Sequence, residues 1–136
     1  MTLKEIREWF IRNYDTSIFE QVSSGRIDKN LSRTLCFYNS KNRMHSYINK
    51  LNLSTYTIKP ITILLRYGNN QNDAEVIISN LYNFFDKKVD TINKRKCKFI
   101  HIYENPIDLG YDESGIIEFS LEIDLYIEKE ERQGTE

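Results

Sequence analysis

The side chains that attack or titrate most readily near neutral pH are histidine and cysteine, and the chain has two of each: His45, His101, Cys36 and Cys97. His101 stands between Ile100 and Ile102, so in a strand it points away from both, and no carboxylate lies at a spacing suited to a base pair. A hydrogen-bonded histidine on a sheet face is the simpler reading. His45 falls in a polar stretch and reads as surface. Cys36, between Leu35 and Phe37, reads as a small buried hydrophobe. Cys97 is flanked by Lys96 and Lys98, and cations lower a thiol pKa, so a reactive thiolate is the alternative to an inert one. Asp108, Asp112 and Glu113 share one loop. They lack calcium-loop spacing, and a polar turn is the alternative to a cation site. The 5 glycines (25, 68, 110, 115 and 134) are too scattered for a phosphate-cradling loop, and no serine sits in a nucleophile elbow. No catalytic, metal-ligating or cofactor-binding set emerges. The expectation is a non-enzymatic protein with no cofactor and no small-molecule substrate.

Charge offers a second kind of chemistry. Lys87, Lys88, Lys94, Arg95, Lys96 and Lys98 form the one basic cluster. It reads as a solvated linker. The sharper alternative is a local nucleic-acid contact through Lys94, Arg95 and Lys96, with Phe99 and Tyr103 near enough to stack on bases. The total of 19 Lys and Arg against 20 Asp and Glu gives a net charge of −1, so no global attraction draws the chain to nucleic acid or to an anionic membrane. No apolar run approaches the roughly 18–20 residues of a membrane span. With no export signal, both thiols are expected reduced and the protein made in the cytoplasm.

The elements that must carry these residues follow from hydrophobic periodicity. Thr2 to Tyr14 has Leu3, Ile6, Phe10 and Tyr14 on one helical face, and Thr2 with Glu5 forms a capping box. Short strands are expected at Ser17–Val22 and Thr34–Asn39, with a turn between them. Residues 40–54 read as a long loop or partly helical excursion. Tyr56–Tyr67 alternates as a strong strand, and Pro60 argues for an edge or a strand start. Asp73–Asp86 is the clearest helix, capped by Asn70. Residues 87–98 read as a basic linker, Phe99–Tyr103 as a strand and Glu104–Gly115 as a loop. Ile116–Glu128 sustains a period of two, with Ile117, Phe119, Leu121, Ile123, Leu125 and Ile127 against Glu118, Ser120, Glu122, Asp124, Tyr126 and Glu128. The sum is one α+β domain over residues 1–128, a mostly antiparallel sheet with two main helices packed on it, and a charged tail at 129–136.

The last third, Ile-His-Ile-Tyr-Glu-Asn-Pro-Ile-Asp-Leu-Gly-Tyr-Asp-Glu-Ser-Gly-Ile-Ile-Glu-Phe-Ser-Leu-Glu-Ile-Asp-Leu-Tyr-Ile-Glu (100–128), resembles the minor capsid or tail terminator proteins of tailed bacteriophages. So does the middle, where Leu-Leu-Arg-Tyr-Gly (64–68) precedes Asp73-Ala74-Glu75 and a helix ending in Leu81-Tyr82-Asn83-Phe84-Phe85. These are patterns of residue class and cover most of the chain in order. The resemblance implies a structural protein of the virion tail or neck, made in the bacterial cytoplasm. Such proteins form a ring, usually hexameric, that caps the tail tube and offers the head-joining surface. The implied partners are copies of itself, the tail tube protein and a head-completion protein. Contacts are expected through the 104–114 loop (Glu104, Asn105, Ile107, Asp108, Leu109, Tyr111, Asp112) and the polar face of the last strand (Glu118, Glu122, Asp124). The alternatives are another neck protein and a small nucleic-acid-binding module.

Overall fold

Among the described residues, two helices cover one face of a curled, mostly antiparallel sheet of seven strands. The computed structural model describes residues 1–40 and 55–129. The excursion expected at 40–54, beyond Ser40, and the tail expected after Lys129 lie outside the described residues.

Helix α1 (Leu3–Asn13) starts where its sequence says it should. The Thr2 hydroxyl accepts from the Glu5 amide at 3.2 Å, and the Glu5 carboxylate accepts from the Thr2 amide at 2.8 Å. Two orphan donors at the helix start are thereby satisfied. Helix α2 (Gln71–Phe85) is capped by Asn70, whose side-chain oxygen accepts from the Asp73 amide at 3.1 Å.

The strands are β1 (Gln21–Ser24), β2 (Arg33–Asn39), β3 (Tyr56–Tyr67), β4 (Val89–Ile92), β5 (Arg95–His101), β6 (Ile107–Tyr111) and β7 (Ile117–Glu128). Their order is β1-β2-β3-β7-β5-β4, and β6 shares with β5 the side of β7 that faces away from β3. Among the described strands only β1 and β2 run parallel. β1 begins later than its expected Ser17 because Thr16–Phe19 close a turn, the Phe19 amide donating to the Thr16 carbonyl at 3.0 Å.

Three expectations are corrected. Pro60 sits in a central strand, between β2 and β7. The fold tolerates it because β2 ends opposite Ile61, and the Pro60 carbonyl accepts from the Ser40 amide at 3.1 Å. In an antiparallel strand a residue's nitrogen and carbonyl share a side, so the missing N–H faces the place where pairing to β2 stops. Residues 87–98 are not a linker: most of them build the β4–β5 hairpin. Asn93 and Lys94 both take positive φ (49° and 68°), the geometry of a two-residue turn whose twist matches its strands. The 104–115 loop likewise contains β6, five residues paired to the start of β7.

Register fixes two faces. Leu35, Phe37, Ile61, Ile63, Leu65, Phe119, Leu121, Ile123, Leu125 and Phe99 line up across the strands and are buried. Against them α1 sets Ile6, Trp9 and Phe10, and α2 sets Ala74, Ile78, Leu81 and Phe85. α1 touches β1 and β2 at one end of the sheet and β4 at the other, which the curl makes possible. Aromatics fill the centre: Trp9 stacks on Phe99 at 5.0 Å and Phe10 on Phe85 at 5.7 Å. Each such pair adds about 0.5–1.5 kcal/mol beyond burial. The Trp9 indole donates to the Asp90 carboxylate at 2.9 Å, tying α1 to β4.

Candidate interaction surface

The second face of the sheet is half-polar, and its buried charge, Arg66, is held within the chain. Arg66, near the end of β3 on this face, is 1% exposed. Its guanidinium donates to Glu118 at 3.2 Å, to the Leu31 carbonyl at 3.0 Å and to Asp112. Asp112 also accepts from the Ser114 and Ile116 amides at 2.8 and 3.0 Å, so one carboxylate shapes the β6–β7 turn and fastens it to β3. The Ile116 amide first, then Arg66 and then the Ser114 amide hold the Asp112 carboxyl below the usual range. Glu122 accepts from the Thr62 hydroxyl at 2.9 Å and from Ser40 at 3.0 Å. Asp124 is half-buried opposite Pro60. Thus Asp112, Glu118 and Glu122, proposed from sequence as contacts, already have partners inside the fold.

The other expected contact residues gather at the β6 end. β6 pairs with β7 on one side, and no described strand pairs with its other side. Its register slips between Asp108 and Gly110: Asp108 lies opposite Phe119 and Gly110 opposite Glu118. Leu109 is the extra residue of this bulge. Gly110 supplies the positive φ of 81°, and its amide donates to the Asp108 carboxylate at 2.8 Å. Bulges re-aim side chains. Here Leu109 is left 49% exposed and Tyr111 76% exposed. Glu104, Asn105 and Asp108 are exposed around them, while Ile107 is half-buried. Tyr103 is 54% exposed, and its carbonyl accepts from the Tyr82 hydroxyl at 3.0 Å, which docks the 102–106 loop on α2. Between that loop and α2 lies an open groove of about 400 Å³ with Glu104, Asn105, Pro106 and Tyr82 on its walls.

The basic residues occupy the opposite end of the molecule. Lys94 sits in the β4–β5 turn, Lys96 and Lys98 are exposed on β5, and Arg95 is half-buried. Lys88 lies 4.8 Å over the Phe84 ring, a cation–π contact. The groove beside the hairpin, about 550 Å³, mixes Lys94, Arg95 and Lys96 with Glu5 and Glu128, so its walls carry both signs.

The nucleophile candidates are placed plainly. Cys36 and Cys97 are fully buried. Burial pushes the Cys97 thiol up, the opposite of what a reactive thiolate needs. His101 stacks on the Tyr82 ring at 3.7 Å and its Nε2 bonds the Tyr82 carbonyl at 2.9 Å. Burial lowers its pKa, and because a carbonyl only accepts, Nε2–H is the donor. Among the described residues no three His, Cys, Asp or Glu side chains gather as a metal site would need, and no helix is long and apolar enough to cross a membrane.

Sequence reasoning missed Arg66 as the organiser of the second face and β4–β5 as a hairpin. The signals were there. An arginine ends the apolar run Ile63-Leu64-Leu65, and Asn93-Lys94 divides two short alternating segments. No protein-family model matches the chain, and neither does any curated protein or solved structure.

Proposed function

We propose that this chain is a structural assembly subunit of the phage tail-terminator kind. In this reading copies of it form a ring, most simply a hexamer, on the head-proximal end of a tail tube. The ring stops tube growth and presents the surface to which a head-completion protein binds. The observation that carries the reading is β6: an edge strand with Leu109 and Tyr111 turned to solvent inside a polar rim. Unpaired edges and exposed apolar side chains are liabilities in a free monomer and assets in a subunit that meets partners. The packed two-layer fold behind β6 suits a part that must hold a fixed geometry.

The test is electron microscopy of particles made with this gene deleted. Filled heads beside unattached tails of uncontrolled length support the terminator. Unattached tails of normal length move the assignment to a neck connector. Intact infectious particles refute a role in virion assembly.

One observation favours a rival. The basic segment is an exposed hairpin and not a slack linker, which suits a nucleic-acid contact through Lys94, Arg95 and Lys96. That reading requires binding that weakens steeply with salt and is lost when these three are neutralised.

A further inference from the structure

Two groups of exposed, like-signed charges stand toward the two ends of one strand, with Glu5 and Glu128 bordering the basic group. β6 holds the start of β7, with Tyr111 opposite Ile117, and β5 holds its finish, with Cys97 opposite Ile127. Between the charges themselves the spacing is shorter: Asp108 lies opposite Phe119 and Lys98 opposite Tyr126, seven steps along β7, roughly 24 Å at ~3.4 Å per residue. Around β6 stand Glu104, Asp108 and Glu113, all exposed. Around the β4–β5 hairpin stand Lys94, Lys96 and Lys98, also exposed. At physiological ionic strength charges are screened beyond about 8 Å, so the two groups cannot compensate each other within one chain. Each end also offers apolar surface: Leu109 and Tyr111 at the acidic end, and Val89, 48% exposed, at the basic end. Both β6 and β4 have an outer edge that no described strand pairs.

We infer that the acidic, apolar β6 end of one copy docks on the basic β4–β5 hairpin of the next, as a head-to-tail contact between copies of this chain. This rests on the ring-forming reading above and names the surfaces that would close the ring. The occupant follows from complementarity. The same chain supplies both signs, in equal number and each with an apolar neighbour, and a contact that uses a different surface on each subunit generates rings when its rotation closes. Opposed charges also steer such an encounter and reject the wrong register.

The experiment is disulfide trapping in the purified full chain. Leu109→Cys and Lys96→Cys are introduced singly and together, and both native cysteines are buried and silent. Mild oxidation of a mixture of the two single variants should give a mixed dimer in at least tenfold excess over either homodimer. The double variant should give a ladder beyond dimer. Yield should fall several-fold from low to high salt. Reversing Glu104 and Asp108 to Lys should abolish trapping, and adding Lys94→Glu and Lys96→Glu on an accompanying copy that carries its cysteine at Val89 should restore it. Thermal midpoints of the reversed variants, all at exposed positions, report whether the fold is intact. A ladder that stops at dimer means a two-fold arrangement and overturns the head-to-tail contact. Absence of mixed dimer, or trapping indifferent to charge reversal, overturns it too. If trapping fails while gene deletion still yields tails of uncontrolled length, the contact is wrong and the terminator reading stands. If salt-sensitive binding of a random-sequence oligonucleotide is found at Lys94 and Lys96 instead, the hairpin belongs to nucleic acid and the contact is refuted.

Discussion

Replacing Arg66 by methionine tests the account of the second sheet face most directly. Methionine keeps an unbranched, flexible side chain of similar reach, so lost packing is small beside lost bonding. What disappears is the pair to Glu118 at 3.2 Å, the pair to Asp112 and the bond to the Leu31 carbonyl at 3.0 Å. Removing one partner of a fully buried ion pair costs about 3–5 kcal/mol, because the charge left behind is uncompensated. Here the abandoned carboxylates are not fully buried: Asp112 keeps 24% and Glu118 22% of its side-chain exposure. Water recovers part of the loss, so the expected cost for Arg66→Met is roughly 2–4 kcal/mol. For a domain of this size that is a fall of roughly 8–16 °C in the thermal midpoint. Arg66→Lys, which keeps the charge without the planar fork, should lose less. The assay is urea unfolding followed by fluorescence of Trp9, the single tryptophan, which is 2% exposed and packed on Phe99. The urea midpoint should fall with the slope unchanged. A double-mutant cycle with Glu118→Gln should show coupling of at least about 1 kcal/mol. A loss under about 1 kcal/mol with no coupling would refute the claim that this cluster pins β3 to β7 and to the turn before it.

Two further outcomes follow from local geometry. Lys94→Gly should raise stability by about 0.5–1 kcal/mol in the same urea titration, because a side chain at φ 68° is strained and Asn-Gly is the preferred turn pair; no gain would mean that the lysine contributes a contact offsetting its strain. Acid should destabilise the protein in two stages, read from thermal midpoints between pH 8 and pH 3. His101 has its pKa depressed by burial, so the unfolded chain takes that proton first; its contribution is complete above ~6.5 and drains as pH falls from there toward the lower folded value. Glu5, Asp90 and Asp112 are held low chiefly by the Thr2 amide, the Trp9 indole and the Ile116 amide. Their contribution is present above ~4 and is lost as pH falls through their folded values. His101→Gln should erase the first stage and leave the second, and a profile unchanged by that substitution would remove His101 from the account.

The parts of the fold that were legible in sequence are those fixed by local chemistry. Thr2 with Glu5, and Asn70 with Asp73, are caps whose donors and acceptors lie three residues apart, so the helix starts needed no tertiary information. β7 was legible because one buried face imposes a period of two over twelve residues. β4 and β6 were not, because strands of four and five residues carry too few alternations to stand out from turns, and what makes them strands is pairing to β5 and β7. Pro60 misled for a related reason. Its position forbids a partner on one side at one residue, and the sequence does not show that β2 ends at that residue. The site was half legible. The 104–114 segment could be singled out by composition, whereas the bulge that turns Leu109 outward depends on a register slip against β7.

That same division decides which charges can be used to probe assembly. Glu118 and Glu122 look, in sequence, like the free acidic face of a strand, and reversing them would be the obvious test of a partner surface. In the folded chain Glu118 holds Arg66 and Glu122 holds Thr62 and Ser40. Reversal at Glu122 would place a cation beside the part-buried hydroxyls of Thr62 and Ser40, and at Glu118 beside a buried arginine, so lost assembly would report a damaged sheet. Asp112 stands at the junction, shaping the turn after β6 while bonding β3, and is no cleaner a probe. Glu104 and Asp108 are different: exposed, at the rim of Leu109 and Tyr111, with no bond to the core sheet among the described residues. Under the proposed assembly role, stability and assembly would therefore draw on separate charges in this molecule. A variant at Glu104 or Asp108 that unfolds the protein would contradict that separation as surely as a variant at Glu118 that leaves its stability intact.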